Sequence, residues 1–450
     1  MRDLGWVVAV ALLAAAPRIV WFRAHQPELP PDTGGYLNVA REWRGQRAPD
    51  GMWDDRAQLP SNNLAARTPG YPLFLDLVFA ITDFSRTPDS ALVNARRVLR
   101  PVVGGGARAA HLRHLETDEN VRAVQAAQHL LGVLATVLVF LTMLAWSTGA
   151  GVAALGSIAS IGWNPVWIMT LEPSMLGETL AGVLLIVAIW LVSTRRSLAS
   201  DVVAALVCAA SVVVRPAMVF AVAPVVAYAA FRQRRTWFGA PVLAAAVVVL
   251  ALLVVNNGVR YGYWGVTSLG GTTVLSHAND HAAALREPAR DAALRFHPYL
   301  ANGSSLQYMM ATDGGRPFLD VSDELNRAAV GYVLDHPIWY LTSVGGALID
   351  YFSPPLRYVG GDFNLLRQRL PTVWLALSIC ATALLVAGLA ALAMDLPLTA
   401  KLGPAAFLVC AVGTSLVAHT ENRRFAAPVV PLVLMSGTLV LQRATRAVAK

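Results

Sequence analysis

The chain of 450 residues is 56% hydrophobic and only 14% charged, with a mean hydropathy of +0.51, whereas soluble domains carry about 25% charged residues. Apolar runs of roughly helix-spanning length recur along it, which excludes a soluble enzyme, a disordered chain and a fibre. The formal charge of +8 comes from 36 Lys and Arg against 28 Asp and Glu, set mainly in loops and at helix ends rather than in one stripe, a pattern of membrane topology and phosphate chemistry and not of nucleic-acid binding.

The first apolar run covers 4–22 behind a basic start. No small-x-small cleavage pattern precedes Pro17-Arg18 and more spans follow, so a retained first helix is expected rather than a cleaved signal peptide. Further apolar segments lie at 121–146, 151–167, 179–192, 202–214, 217–231 and 238–255, then at 373–393, 404–418 and 427–441. Together they predict an all-α polytopic membrane protein of about ten transmembrane helices, with juxtamembrane helices in a long first extracytoplasmic loop. An even number of spans puts both termini on one side. Arg195-Arg196, the RQRR run at 232–235, Arg443, Arg446 and Lys450 fall on that side, which the positive-inside rule makes cytoplasmic.

Two shorter segments, 71–84 and 337–352, each with a proline near its start, stay open between spans and half-buried interfacial helices. Three parts follow: an N-terminal membrane module at 1–256 that includes the outer loop 23–120, an extracytoplasmic loop region at 257–336, and C-terminal membrane helices at 337–450. The first outer loop carries Arg86, Arg96, Arg97, Arg100, Arg108 and Arg113, but long loops are largely exempt from the charge rule. Cys208, Cys380 and Cys410 lie far apart in apolar runs and make neither a disulfide framework nor a zinc pattern.

Polar residues gather at the outer ends of the spans, as a reaction site at the membrane interface requires. In PELPPDTGGYLNVAREW, Asp32 follows two prolines and precedes Tyr36, Leu37, Val39 and Ala40 on one helical face. Asp32 or Thr33 either caps that helix or presents a carboxylate just above the bilayer, able to take a proton from an attacking hydroxyl. In LAARTPGYPLFLDLVF, Arg67 stands before a stiff Thr-Pro-Gly-Tyr-Pro turn that includes Tyr71, and its guanidinium serves either as an interface anchor or as a phosphate ligand. WNPVWIMTLEPSMLGETLAGVLL holds Glu172 and Glu178 at the entry to a span, where a helix dipole explains one acid and leaves the other as a second active-site carboxylate. Arg215-Pro216 interrupts an apolar stretch, and HTENRRFAAPVVP carries His419, Glu421 and Arg424, the arginines being suited either to snorkelling or to a phosphate leaving group. His277, His281, His297 and Tyr299 in the second large loop lack metal-ligand spacing.

Taken in order, Asp32 with Tyr36 and Ala40, RTPGYPLFL, NP followed by GETL, and RRFAAPVVP give the chain a pattern that resembles the C-type integral membrane glycosyltransferases, in particular the dolichyl-phosphate-mannose-protein mannosyltransferase and aminoarabinose-transferase-like group. The resemblance implies Asp32 as catalytic base or acceptor-positioning acid, with Glu178 as the second acid and Glu172 as its competitor. It implies Arg67, Arg215 and Arg424 as donor-phosphate ligands, and Tyr36, Tyr71, Glu172, His419 and Glu421 as further substrate contacts. Phe425 replaces the tyrosine of the late motif, the first loop has a single Asp where some relatives have a pair, and 96–119 has no counterpart.

The implied activity is inverting transfer of a sugar from a polyprenyl-phosphate donor to a hydroxyl of a glycan, lipid or protein acceptor, on the extracytoplasmic face of a bacterial inner membrane. A divalent cation, Mg²⁺ or Mn²⁺, held by Asp32 and Glu178 stays open, because two carboxylates do not decide it. A flippase for a polyprenyl-linked sugar and a non-catalytic envelope-assembly subunit are the alternatives. The family's architecture treats 71–84 as a juxtamembrane helix, which keeps Asp32 and Glu178 on one face.

Overall fold

The computed structural model describes residues 2–25, 36, 39–40, 68–82, 119–232, 236–267, 270, 273–275, 277, 318–352, 371–417 and 425–448. These residues are largely helical, with no strand among them. The helices are α1 (Arg2–Ala24), α2 (Gly70–Thr82), α3 (Glu119–Ala145), α4 (Ala150–Ser157), α5 (Glu178–Thr194), α6 (Leu198–Val214), α7 (Met218–Arg232), α8 (Thr236–Tyr261), α9 (Phe318–Asp335), α10 (Pro337–Tyr351), α11 (Pro371–Ala390), α12 (Leu398–Val417) and α13 (Val430–Val448). Every apolar segment expected to span overlaps one of them.

Among the described residues, five stretches are long and apolar enough to cross a membrane: Leu4–Ala24, Val121–Ala145, Ala150–Leu171, Gly239–Val259 and Leu398–Val417. The apolar helices α2, α5, α6 and α7 and the Ser378–Ala390 part of α11 are shorter. With apolar side chains such as Leu12, Val20, Val247 and Leu252 exposed on α1 and α8, where a water-soluble fold would cover them, the chain is an all-α, multi-pass membrane protein.

One expected span is not a single helix. After α4 the backbone widens into a π-helical turn, Ile158–Gly162, breaks at Trp163-Asn164, and resumes in a second π turn, Trp167–Leu171. Pro165 supplies no N–H and disfavours helix at Asn164. The Asn164 side chain stands in for the lost ladder, donating to Ser160 O at 2.9 Å and accepting from Val166 N at 3.0 Å. Breaks of this kind survive at membrane depth only where side chains from neighbouring helices satisfy the freed backbone.

α6 is the hub, packing on α5, α7 and α8, while α3 packs on α1 and α5. α11 and α12 pack on α13, and α12 also joins the two halves through α7. Small residues set the closest crossing: an added Cβ on Gly388 or Gly437 would meet the carbonyl oxygen of Val433 or Leu384, so α11 and α13 touch backbone to backbone.

The antiparallel run of helices gives the bundle two polar ends. At one end Arg232, closing α7, binds Asp201 at the start of α6 and the carbonyls of Val192, in the last turn of α5, and Arg195, just after it. Arg443 of α13 reaches Asp395 O at that same end, in the turn before α12. The opposite end gathers the end of α1, the start of α3, the segment after Leu171, the start of α5 and the end of α6. α2 docks there too. Thr68 Oγ1 donates to Val214 O at 3.2 Å, and a Cβ on Gly70 would stand 2.6 Å from Val214 N.

That contact explains the glycine of the Thr-Pro-Gly-Tyr-Pro turn. Gly70→Ala is expected to destabilise the fold by about 1–3 kcal/mol through overpacking against a rigid helix end. Unfolding in mixed micelles checks it, and an unchanged midpoint would mean that α2 docks less closely.

Candidate functional site

Three elements deliver Arg18, His129 and Glu172 to one point. Arg18 lies in the last third of α1, directly after Pro17. His129 lies on α3 three residues before Gly132, and a Cβ on that glycine would come within 2.0 Å of Glu172 Oε1. Glu172 follows the second π turn, its N–H donating to Trp167 O at 2.9 Å. The wide turns therefore set the angle at which its carboxylate enters the bundle.

Arg18 grips Glu172 with a fork: Nε to Oε2 at 2.9 Å and Nη2 to Oε1 at 2.6 Å. Its remaining hydrogens reach Ala14 O at 2.7 Å, Gly162 O at 3.0 Å and Ile161 O at 3.4 Å. Two of those carbonyls belong to the distorted turn, so the guanidinium satisfies backbone as well as a carboxylate. His129 Nδ1 lies 2.7 Å from Glu172 Oε2. Arg18 is 2% exposed and Glu172 0%, which makes this an ion pair sealed inside the bundle.

A second pair lies beside it. Glu178 opens α5, and Oε1 meets Arg215 Nη1 at 2.6 Å with both residues buried. Arg215 reaches this place because Pro216 forces the residue before it out of the helix: α6 ends at Val214 and Arg215 is extended, at φ −147° and ψ 108°. Its guanidinium also lies 4.9 Å from the ring centre of Phe425.

Gln128 links the backbone at Glu172 to Tyr71, whose hydroxyl lies within electrostatic reach of Glu178. Gln128 Nε2 donates to Glu172 O and Ser174 O, each at 2.8 Å, and its Oε1 accepts from Tyr71 Oη at 3.3 Å. Tyr71 packs edge-on against Tyr36, with ring centres 5.1 Å apart. α2 is one of the shorter apolar helices, its 13 described residues making about 20 Å. Burial, then the charge of Glu178, then Tyr36 hold the Tyr71 hydroxyl well above its usual pKa, so it remains a hydrogen-bond donor.

Of the residues singled out in the sequence, the structure brings together Tyr36, Tyr71, Glu172, Glu178 and Arg215. Tyr36, Val39 and Ala40 are helical and buried, as the spacing after Asp32 predicts. Asp32, Arg67, His419, Glu421 and Arg424 lie outside the described residues. Glu172 and Glu178 each carry an arginine, and among the described residues no group of three His, Cys, Asp or Glu side chains is placed to hold a metal ion. His277, by contrast, belongs to a separate cluster, its Nδ1 2.9 Å from Ser343 Oγ.

Arg18, Gln125, Gln128 and His129 escaped notice in the sequence. The signal was present: these are among the polar residues interrupting the runs 4–22 and 121–146, and ionisable side chains inside spans mark function by default. No family model, no curated protein and no solved structure matches this chain.

Proposed function

We propose that the protein is an inverting glycosyltransferase that moves a sugar from a polyprenyl-phosphate donor to a hydroxyl acceptor at the extracytoplasmic face of a bacterial inner membrane. The observation that carries this is the convergence of two buried arginine–carboxylate pairs and the Tyr36–Tyr71 contact at one end of the bundle, opposite the end that holds Arg195 and Arg232. In a ten-span topology the basic end is cytoplasmic and the site faces outward, where lipid and water-soluble substrates meet.

In this mechanism Asp32 takes the proton from the acceptor hydroxyl as its oxygen attacks the anomeric carbon from the face opposite the phosphate. The bond from that carbon to the phosphate oxygen breaks, and the polyprenyl phosphate leaves with the electron pair. Arg67, Arg215 and Arg424 stabilise that leaving charge, and Glu178 fixes the aim of Arg215. Holding both substrates at one membrane interface contributes the orientation part of the rate gain. Membrane lipid surrounds the bundle, and no nucleic acid takes part.

Purified protein in lipid, incubated with radiolabelled polyprenyl-phosphate sugars, is expected to release free polyprenyl phosphate. Asp32→Asn should cut that release by about 10²-fold or more while leaving folding and donor binding intact. Near-full activity in Asp32→Asn would remove Asp32 from the base role. A transporter of a lipid-linked sugar is the alternative favoured by a specific observation, the burial of Arg18, His129 and Glu172 inside the bundle. Donor that crosses the bilayer without being consumed would establish it.

A further inference from the structure

One turn apart on α3, Gln125 and His129 share a helical face, and both are more than nine-tenths buried. Among the described residues, neither Gln125 Nε2, Gln125 Oε1 nor His129 Nε2 has a hydrogen-bond partner. These three atoms lie within one turn of a single helix, where buried polar groups are otherwise expected to be paired. The rest of the cluster is saturated: Arg18 places all its N–H groups, and Glu172 accepts from both Arg18 and His129.

The unused atoms define a chemistry. With Arg18 donating to both of its oxygens, Glu172 accepts at Oε2 as well, and His129 Nδ1 is the donor of that contact. Nε2 is then the ring nitrogen left without a partner. Gln125 adds one acceptor and an amide donor a turn away. A hydroxyl both donates and accepts, so neighbouring hydroxyls can use all three atoms.

We propose that Gln125 and His129 form a subsite for sugar hydroxyls, with Glu172 and Arg18 as the positioning residues that lock the imidazole. The proposal rests on the glycosyltransferase reading and names the part of the substrate that this end of α3 recognises. The hydroxyls belong either to the donor's sugar or to the acceptor.

The test uses full-length protein in lipid nanodiscs, with undecaprenyl-phosphate mannose and bare undecaprenyl phosphate as binding probes and methyl α-mannoside as acceptor probe. Wild type is expected to bind the mannosyl lipid about tenfold more tightly than the bare lipid, and Gln125→Leu and His129→Asn should each shrink that margin to about threefold or less with bare-lipid binding unchanged. If the margin survives but the variants raise the KM for methyl α-mannoside, the subsite belongs to the acceptor. If Gln125→Leu folds as wild type and keeps both the margin and the KM, the three atoms hold water only and the subsite is overturned. Wild type that binds neither lipid and transfers nothing overturns the glycosyltransferase reading itself, an outcome distinguished by needing no variant.

Discussion

Arg18→Met alone is expected to destabilise the protein by about 3–5 kcal/mol, among the largest effects of any single substitution in the bundle. It strands the Glu172 carboxylate at 0% exposure and removes the donors that cover the carbonyls of Ala14, Ile161 and Gly162. Glu172→Leu alone should be comparably damaging, because it leaves a guanidinium buried without its counter-ion. The double variant Arg18→Met with Glu172→Leu should recover a substantial part of the loss, since an apolar pair of similar volume carries no charge to desolvate. Reversible unfolding of all four proteins in mixed micelles checks this. Additive single losses would show that the two side chains stabilise separate contacts and that the fork does not hold the distorted turn in place.

Glu178→Gln is expected to lower the rate of polyprenyl phosphate release by about 10²-fold at saturating donor, with a smaller change in KM. The reason is geometric. Arg215 sits on extended backbone before Pro216, and its guanidinium direction is set by Glu178 on one side and the Phe425 ring on the other. Arg215→Gln should cost about as much, and the double variant little more than either single one, because both changes remove one oriented charge. The measurement is a kinetic cycle with labelled donor, each variant first checked for an unchanged elution profile. Fully additive losses would assign the two residues independent roles, with Glu178 acting as an acid in its own right.

The helices were legible for a physical reason that is local. A backbone in hydrocarbon must pair its own N–H and C=O groups, so a long apolar run such as 121–146 has little choice but helix, and α3 covers it at Glu119–Ala145. Punctuation was legible as well: Pro216 ends α6 one residue before Arg215, and the Tyr36, Val39, Ala40 spacing marks a buried face. Less legible was the interruption in 151–167, where hydropathy averages over Asn164-Pro165 and reports a smooth span.

The partners of the acids were illegible. Glu172 and Glu178 were visible as acids in an acid-poor chain, but both looked alike, as residues near a helix start. Their difference comes from contacts 154 and 37 residues away: Glu172 meets Arg18, and Glu178 meets Arg215, so one acid is tied to α1 and the distorted turn, the other to the end of α6. No periodicity encodes such pairings, because they depend on which helix ends lie side by side after packing.

From residue order alone came the membrane, the helices, the basic end of the bundle and a list of polar residues at the other end, all consequences of transfer free energy and local backbone geometry. Only the tertiary structure decided which of those residues touch. It replaced a set of separate carboxylates and arginines with two ion pairs, the backbone of the first tied to Tyr71 through Gln128, and it disclosed unpartnered polar atoms on α3. Charge and hydrogen bonding act over a few ångströms, and in a bundle those ångströms are set by side-chain packing, down to a glycine at 132 that leaves room for Glu172.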